Sequence, residues 1–509
     1  MTRVSAVSIL ALSAMASPSF ADVTSEEVWN NLESYLSDFG YEISATETAT
    51  DNGLEVSGIS YTAPLPEDGG TMVVTLPDMI YTDVGDGTVD MTMPESGMME
   101  VTITPEGEDA SPTVVAVALS HSGLLVNASG TPEEMTYESR AEEIRMVLDS
   151  VTDEGELLPK EALKTSLSMG PVAGTSVVSI EDGLRSVSQD MTYGDITYDF
   201  AFTAPEDDET KGLFSGTLRG LAGKGTTVVP DGADMSDAPA MLASGFEVDA
   251  SITHQGGETS FDFQDGSDRV TGQLSSDGGE LGFAMSQEKM VYVLSALGQS
   301  VSMMVPDMPF PIEGKFGEAG FSFEMPLAAS EEPVPASLSV LLSDFEMADM
   351  LWGIFDPQGV LPRDPATIGA NLEAEVTPFV SIIDEDAMEA VEEGEELPGE
   401  LNKVTLTDLV VRAIGAEILG EGEFTFDNTD TETFDGMPRP EGQIDLTISG
   451  VNGVIDKLIE MGFVQEQDAM GARMMLGMFT VPGAEPDTAT STILVNDQGH
   501  VLANGQRIK

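Results

Sequence analysis

A chain of 509 residues with 90 acidic against 20 basic side chains carries a formal charge of -70, which argues against nucleic acid as a partner. Without cysteine it has no disulfides, no thiol chemistry and no cysteine-built metal site, and three histidines leave little material for a multi-histidine centre. Apolar residues at 41 % are enough for large cores, and the length suggests two or three domains.

The acidity is uneven: residues 22–139 hold 23 Asp and Glu and no Lys or Arg. Cation binding or a basic partner protein would be a functional reading. A solvated surface suited to salty surroundings, where screening confines repulsion to within about 8 Å, accounts for it more simply.

Residues 1–21 carry the marks of a secretory signal peptide. Arg3 supplies a positive start, residues 4–16 are small and apolar, Pro18 breaks the run, and Ser19 and Ala21 place small residues at a cleavage point before Asp22. The apolar run falls short of the roughly 20 residues a spanning helix needs, and no later stretch reaches that length. Lacking cysteine, the chain is not expected to be a lipid-anchored lipoprotein. A soluble exported protein is expected, in the periplasm or outside the cell, with no transmembrane helix in the mature chain.

Thr24 and Glu27 form a capping box ahead of Val28, Leu32, Tyr35, Leu36 and Phe39, an apolar stripe that predicts a helix ended by Gly40. The period then drops to two. Residues 41–50 and 54–63 flank Asp51-Asn52-Gly53, a hairpin signal. Strands follow at 71–76, 78–83, 88–93, 98–104, 113–120 and 124–127, with turns at 85–87 and 94–97. Residues 133–151 alternate as strands do, and 186–191 and 195–203 read as a hairpin around Tyr193-Gly194. These make an N-terminal β-rich domain over 22–204. The stretch 205–244, rich in Gly, Pro, Asp and Ser, reads as linker-like.

A central β-meander domain is expected over 245–383. Phe246, Val248, Ala250, Ile252 and His254 share one strand face, and Gln255-Gly256-Gly257 turns the chain toward Phe261 and Phe263. Strands are expected at 270–274, 281–285, 290–297, 320–324, 336–342 and 370–376, with turns at 265–267 and 277–279 and a short helix over 345–355. The acid-rich stretch 384–400 reads as an exposed loop. A C-terminal β-α-α-β domain over 401–509 closes the chain, with strands at 404–412, 416–427 and 442–448, helices at 451–461 and 467–479, and a final hairpin turning at Asp497-Gln498-Gly499. The class predicted is mainly β (α+β), long antiparallel meanders with a few short helices packed at the ends.

Catalytic motifs such as a nucleophile elbow, a Walker loop or a dinucleotide fingerprint are absent. A dispersed Ser-His-Asp site would centre on His254, although a histidine ending a strand is commonly just a packed ring. Asp83, Asp86 and Asp90 offer hard oxygen ligands near a turn, as do Asp427, Asp430 and Asp435. Neither set has EF-hand spacing, and Asp-Gly turns arise from turn chemistry alone. Met470, Met474 and Met478 repeat at helical spacing, and methionine adapts to irregular apolar shapes, so they are candidates to line a hydrophobic ligand groove. Ordinary packing of a helix on a sheet explains them as well. No cofactor is implied.

Leu351-Trp352 with Phe355-Asp356-Pro357, followed by Leu361-Pro362-Arg363-Asp364-Pro365-Ala366-Thr367, resembles a signature of alphaproteobacterial exported proteins in the family labelled domain of unknown function 2125. Asn496, Gly499 and Ala503-Asn504-Gly505-Gln506 resemble that family's terminal hairpin. The resemblance is expected to cover most of the mature chain and implies an envelope protein, with no catalytic residues to carry over. Physically, Trp352 and Phe355 are expected to anchor a helix in the core, Asp356 to cap the turn, and Arg363 to pair with Asp364.

The reading is therefore a non-enzymatic binding or scaffolding component of the cell envelope, holding a lipid or other hydrophobic ligand or docking an envelope protein. A hydrolase around His254 and a calcium-stabilised extracellular protein are the alternatives.

Overall fold

The computed structural model describes residues 22–65, 69–107, 111–204, 209–232, 237–394 and 397–509; the signal-peptide reading of 1–21 lies outside them. Strands make up 60 % of the chain and helices 12 %, so the mainly β class holds. The described strand segments form a single sheet of 32.

Most segments are halves of longer strands. Gly70–Thr75 and Met79–Asp83 both lie along Gly53–Pro64, the first beside residues 60–64 and the second beside 53–56. The chain runs straight on through Leu76, Pro77 and Asp78 and creases there without turning back. The joint between Leu184–Thr192 and Asp195–Thr203 is of the same kind, each half pairing in its own ladder. So is the joint between Glu247–His254 and Gly257–Asp265. At Lys289–Met304 the two ladders meet again on one strand, residues 290–297 beside Gly278–Met285 and 300–304 beside Asp268–Ser276. Ile312–Pro326, Val334–Met347, Ala366–Pro378, Gly399–Ala413, Ala416–Asp427, Arg439–Ser449 and Thr488–Val495 then extend the same meander.

The crease has a backbone cause. Gly58, Gly123, Gly194, Gly220 and Gly298 sit there with φ of 58°, 64°, 56°, 56° and 54°. One left-handed residue within a strand shifts the pleat by a position, so the apolar parity changes while the apolar side does not. In Lys289–Met304 the apolar positions are Tyr292, Leu294 and Ala296 before Gly298, and Val301 and Met303 after it. At the N-terminal end both halves do face one way: Val56 and Ile59, and Met79 and Leu76, pack in a single cluster. The sheet is thus a creased, two-faced layer, apolar on the face that α1 and α2 pack into and polar on the other, and that apolar face is the trough.

Helix α1, Ser25–Asp38, fills the N-terminal end of the trough. Its capping box forms as expected, with the Glu27 N–H donating to Thr24 Oγ1 at 3.3 Å and the Thr24 N–H to Glu27 Oε2 at 2.9 Å. Val28 and Trp29 are buried against Leu54, Val56, Ile59, Tyr81, Val89, Met91, Ala128 and Met135. Each fully buried side chain of that size contributes about 1.5–3 kcal/mol, and the edge of Trp29 meets Tyr81 at 6.0 Å between centroids. Helix α2, Ala238–Ala243, makes a second cluster in which Met241, Leu242 and Phe246 bury against Val229 and Leu327.

Several expectations need correcting. Tyr193-Gly194, Gln255-Gly256 and Asp277-Gly278 are creases, because the strands they join do not pair with each other. The stretch read as linker-like contains the paired strands Lys211–Leu218 and Ala222–Pro230 together with α2. Helix α3 is Asp349–Phe355, and the acid-rich stretch holds helix α4, Glu385–Glu392. Helices α5, Val451–Glu460, and α6, Glu466–Phe479, lie where periodicity put them.

Candidate apolar trough

Beyond the two helix-filled clusters no element among the described residues covers the apolar lining. Phe200, Phe214, Phe263 and Leu274 line one half of the trough, and Ile252, Leu281, Leu294, Phe321, Leu338, Val340 and Ile368 the other, with exposures from 36 % at Phe214 to 55 % at Ile368. They are cross-strand neighbours: Phe200 faces Phe214, Leu281 faces Leu294, and Leu294 faces Phe321. Tyr292 and Phe323 stack at 5.9 Å, which widens the same apolar strip. Accessible surface totals 29874 Å², against about 18,000 Å² for a compact monomer of this mass. The open apolar face among the described residues is one contributor to that excess.

The outer face is built from the alternate positions. Several of its bases form exposed cross-strand pairs, such as Lys224 with Asp190 at 2.9 Å and Arg269 with Asp262 at 2.5 Å. A hollow of about 730 Å³ lies on this polar face among Ser215, Ser260, Ser275, Ser300 and Glu258. Its hydroxyls bond one another, Ser215 to Ser260 at 3.1 Å and Ser275 to Ser300 at 2.7 Å, so it suits hydration better than an apolar guest. An apolar slot of about 170 Å³ runs under α1 between Leu32, Tyr35, Met91, Val126, Tyr137, Val178 and Val187.

Arg185 is the one buried base in that region and escaped sequence reasoning. It interrupts the apolar row two positions before Val187, a pattern visible in the sequence. Its Nε donates to Asp38 Oδ2 at 2.7 Å and its Nη2 to Ser34 Oγ at 2.6 Å, while Nη1 is buried without a partner. The open lining residues were also not singled out, because strand alternation shows which residues share a face but not whether that face is covered.

His254 ends Glu247–His254 at the crease, where its Nδ1 accepts the Gly256 N–H at 3.2 Å. That is the reverse of the Ser-His-Asp arrangement, in which Nδ1–H donates to a carboxylate. Asp83, Asp86 and Asp90 bond separately: Asp83 accepts from Ser25, Asp86 from Thr88 and Asp90 from Asn127. In the second acidic turn Arg439 takes the central place, 2.8 Å from Asp427 and 3.1 Å from Asp430. Hydrogen bonds from Thr429 and Arg439 hold the Asp427 carboxyl below its ordinary pKa, and those from Thr433 lower Asp430. Among the described residues no His, Asp or Glu group is gathered as a metal cage.

Met470, Met474 and Met478 share one face of α6 and stand open to solvent. The motif around Trp352 is a corner at the trough's rim. Asp356 is buried, its Oδ1 accepting the Val360 N–H and its Oδ2 the Leu361 N–H, each at 2.9 Å, as the turn cap expected. Burial pushes its pKa up, but these bonds, the Gly359 N–H and the Arg363 charge outweigh it and leave the carboxyl below its ordinary value. Trp352 and Phe355 do not enter the core: their rings meet at 5.1 Å on a partly exposed helix. Arg363 pairs with Asp349, not with Asp364, and lies 5.8 Å over the Trp352 ring. Pro357, Leu361, Pro362 and Pro365 shape the path from this corner into Ala366–Pro378.

Residues 238–508 match the family described as uncharacterized protein conserved in bacteria (DUF2125). The match takes in the corner and the terminal hairpin but not the strands before residue 238, so it is narrower than the resemblance suggested. No curated protein and no solved structure matches the chain.

Proposed function

We propose, for a chain that belongs to this uncharacterized bacterial family, that it is an exported envelope protein holding a lipid or a comparable long apolar ligand along its trough. The carrying observation is the open lining: large side chains such as Phe214, Leu294, Phe321 and Ile368 share the apolar face on strand after strand, Leu294 directly opposite Phe321, yet each is more than a third exposed to solvent. Contiguous apolar surface beyond a few hundred Å² is rare on a free-standing monomer and marks a binding face. Each methylene of a guest chain buried there is worth about 0.8 kcal/mol. An elongated strip one strand-length wide suits an acyl chain better than a compact solute. The strongly acidic outer face keeps such a protein soluble while its lining stays apolar, and the signal peptide read from the sequence of residues 1–21 supports a role in the envelope. A binding role asks for no catalytic group, which agrees with the geometry at His254.

The test is mass spectrometry of lipid extracted from mature protein purified from its native envelope without detergent. A stoichiometric acyl-chain lipid, lost in the double variant Phe214→Asp, Leu294→Asp with unchanged circular dichroism, is the expected result. Protein free of lipid in both forms would end the proposal.

A further inference from the structure

The C-terminal rim of the trough bears an apolar patch separate from the lining. Met350 and Ile354 of α3, Phe463 between α5 and α6, and Met470, Met474 and Met478 of α6 are each between 54 % and 68 % exposed. Their elements are neighbours. The hairpin turn at Gly415 is flanked by both: a Cβ there would lie 3.0 Å from Pro362 Cγ, in the corner after α3, and 3.7 Å from Lys457 Nζ on α5. Arg473 Nη2 then ties α6 to α5 through Asp456 Oδ1 at 2.6 Å.

Charge separates this patch from the rest of the molecule. In a chain with a net charge of -70, residues 469–484 contain no acid and one base, Arg473. Residues 350–363 contain one acid, Asp356, which is buried, and one base, Arg363. Arg363 and Arg473 are matched by Asp349 and Asp456, and Glu466 and Asp468 in the first turn of α6 stand at the edge, so the patch is a charge-poor apolar island on an acidic surface. An acidic protein partner would gain nothing there, and a basic one would find better purchase elsewhere on the chain.

We infer that this island docks the protein on a phospholipid bilayer whose headgroups are zwitterionic, with the α6 methionines entering the interface. The inference deepens the lipid-holding reading, since a trough that carries acyl chains must meet a bilayer to load or unload them. Methionine suits the task because its flexible thioether adapts to disordered acyl chains. With neutral headgroups the island meets no repulsion. Anionic lipid repels the rest of the chain, and salt screens that repulsion over about 10 Å at 0.1 M.

The experiment is flotation of the mature chain with phosphatidylcholine vesicles, with and without phosphatidylglycerol, at low and high salt. Wild-type protein should float with phosphatidylcholine, lose at least ten-fold in partitioning when phosphatidylglycerol is added at low salt, and regain it at high salt. Met470→Asp, Met474→Asp, Met478→Asp should abolish flotation and leave circular dichroism unchanged. The lining variant Phe214→Asp, Leu294→Asp should still float. Wild-type protein that carries lipid but does not float, or a methionine variant that floats like wild type, overturns the docking inference alone. Protein that floats but carries no lipid upholds docking and sinks the lipid-holding reading.

Discussion

The guanidinium of Arg185 bonds the carboxylate of Asp38 at 2.7 Å and thereby fastens the end of α1 to the strand Leu184–Thr192, with the two side chains only 7 % and 16 % exposed. No other ion pair among the described residues is buried on both sides to this degree. It holds the helix that fills the trough's N-terminal end.

Removing one partner leaves the other charge buried and unmatched. Arg185→Met is expected to destabilise the fold by about 3 kcal/mol, whereas replacing both, Arg185→Met with Asp38→Leu, should cost clearly less. Urea denaturation followed by Trp29 fluorescence checks this, because Trp29 lies on the same helix. Equal losses in the single and double variants would show that the pair has no coupling.

At Gly194 the crease depends on a left-handed backbone with φ of 56°. A Cβ there would also fall on the carbonyl of Gly170. Gly194→Val should therefore cost more than the roughly 1–2 kcal/mol of the backbone term alone. Gly183, also left-handed but with open space around its Cβ position, is the control. A thermal melt of Gly194→Val that matches Gly183→Ala would refute the clash.

Stability should fall at both ends of the pH scale. Asp356, Asp427, Asp430 and Asp487 have folded pKa values below their unfolded ones, so their contribution is present above about pH 4 and is lost as pH drops through the folded values. Burial pushes Tyr137 up to about 12 and raises Tyr81 as well. Their contribution is complete below the unfolded value near 10 and declines as pH rises from there toward the folded one. Tyr137→Phe should flatten part of the alkaline limb, read from melting temperatures between pH 9 and 12.

Chelation should leave the melting temperature unchanged, because Arg439 already neutralises Asp427 and Asp430. Arg439→Ala should lower it by a few degrees and make it rise on adding calcium, since two carboxylates would then face each other. Differential scanning calorimetry with and without excess chelator distinguishes these cases.

Much of this architecture is legible in the sequence. The capping box at Thr24 and Glu27, the period of two through most of the chain and the helical stripes of α5 and α6 all depend on neighbours within a few residues. The creases read as hairpins in sequence because they use the same chemistry as hairpin turns. Tyr193-Gly194 and Asp51-Asn52-Gly53 both place a glycine at positive φ, and only the pairing partners reveal that the first chain runs on and the second returns. For the same reason the stretch 205–244 reads as a linker: its strands hold their place by pairing with Leu184–Thr192, Asp195–Thr203, Glu247–His254 and Gly257–Asp265 outside it, with few large apolar residues of their own.

Composition and alternation by themselves determined that the chain is acidic, cysteine-free, rich in antiparallel strands and two-faced. Those properties follow from residue chemistry and from a pleat that repeats every two residues. Tertiary structure decided which apolar face is covered and which is open. Burial is a property of the partner surface: α1 and α2 cover one part of the lining, and nothing among the described residues covers Phe214, Leu294 or Ile368. It likewise decided that Arg185 sits buried beside Asp38 while Met470, Met474 and Met478 stand in solvent, because which side a helix presents is set by what it packs against.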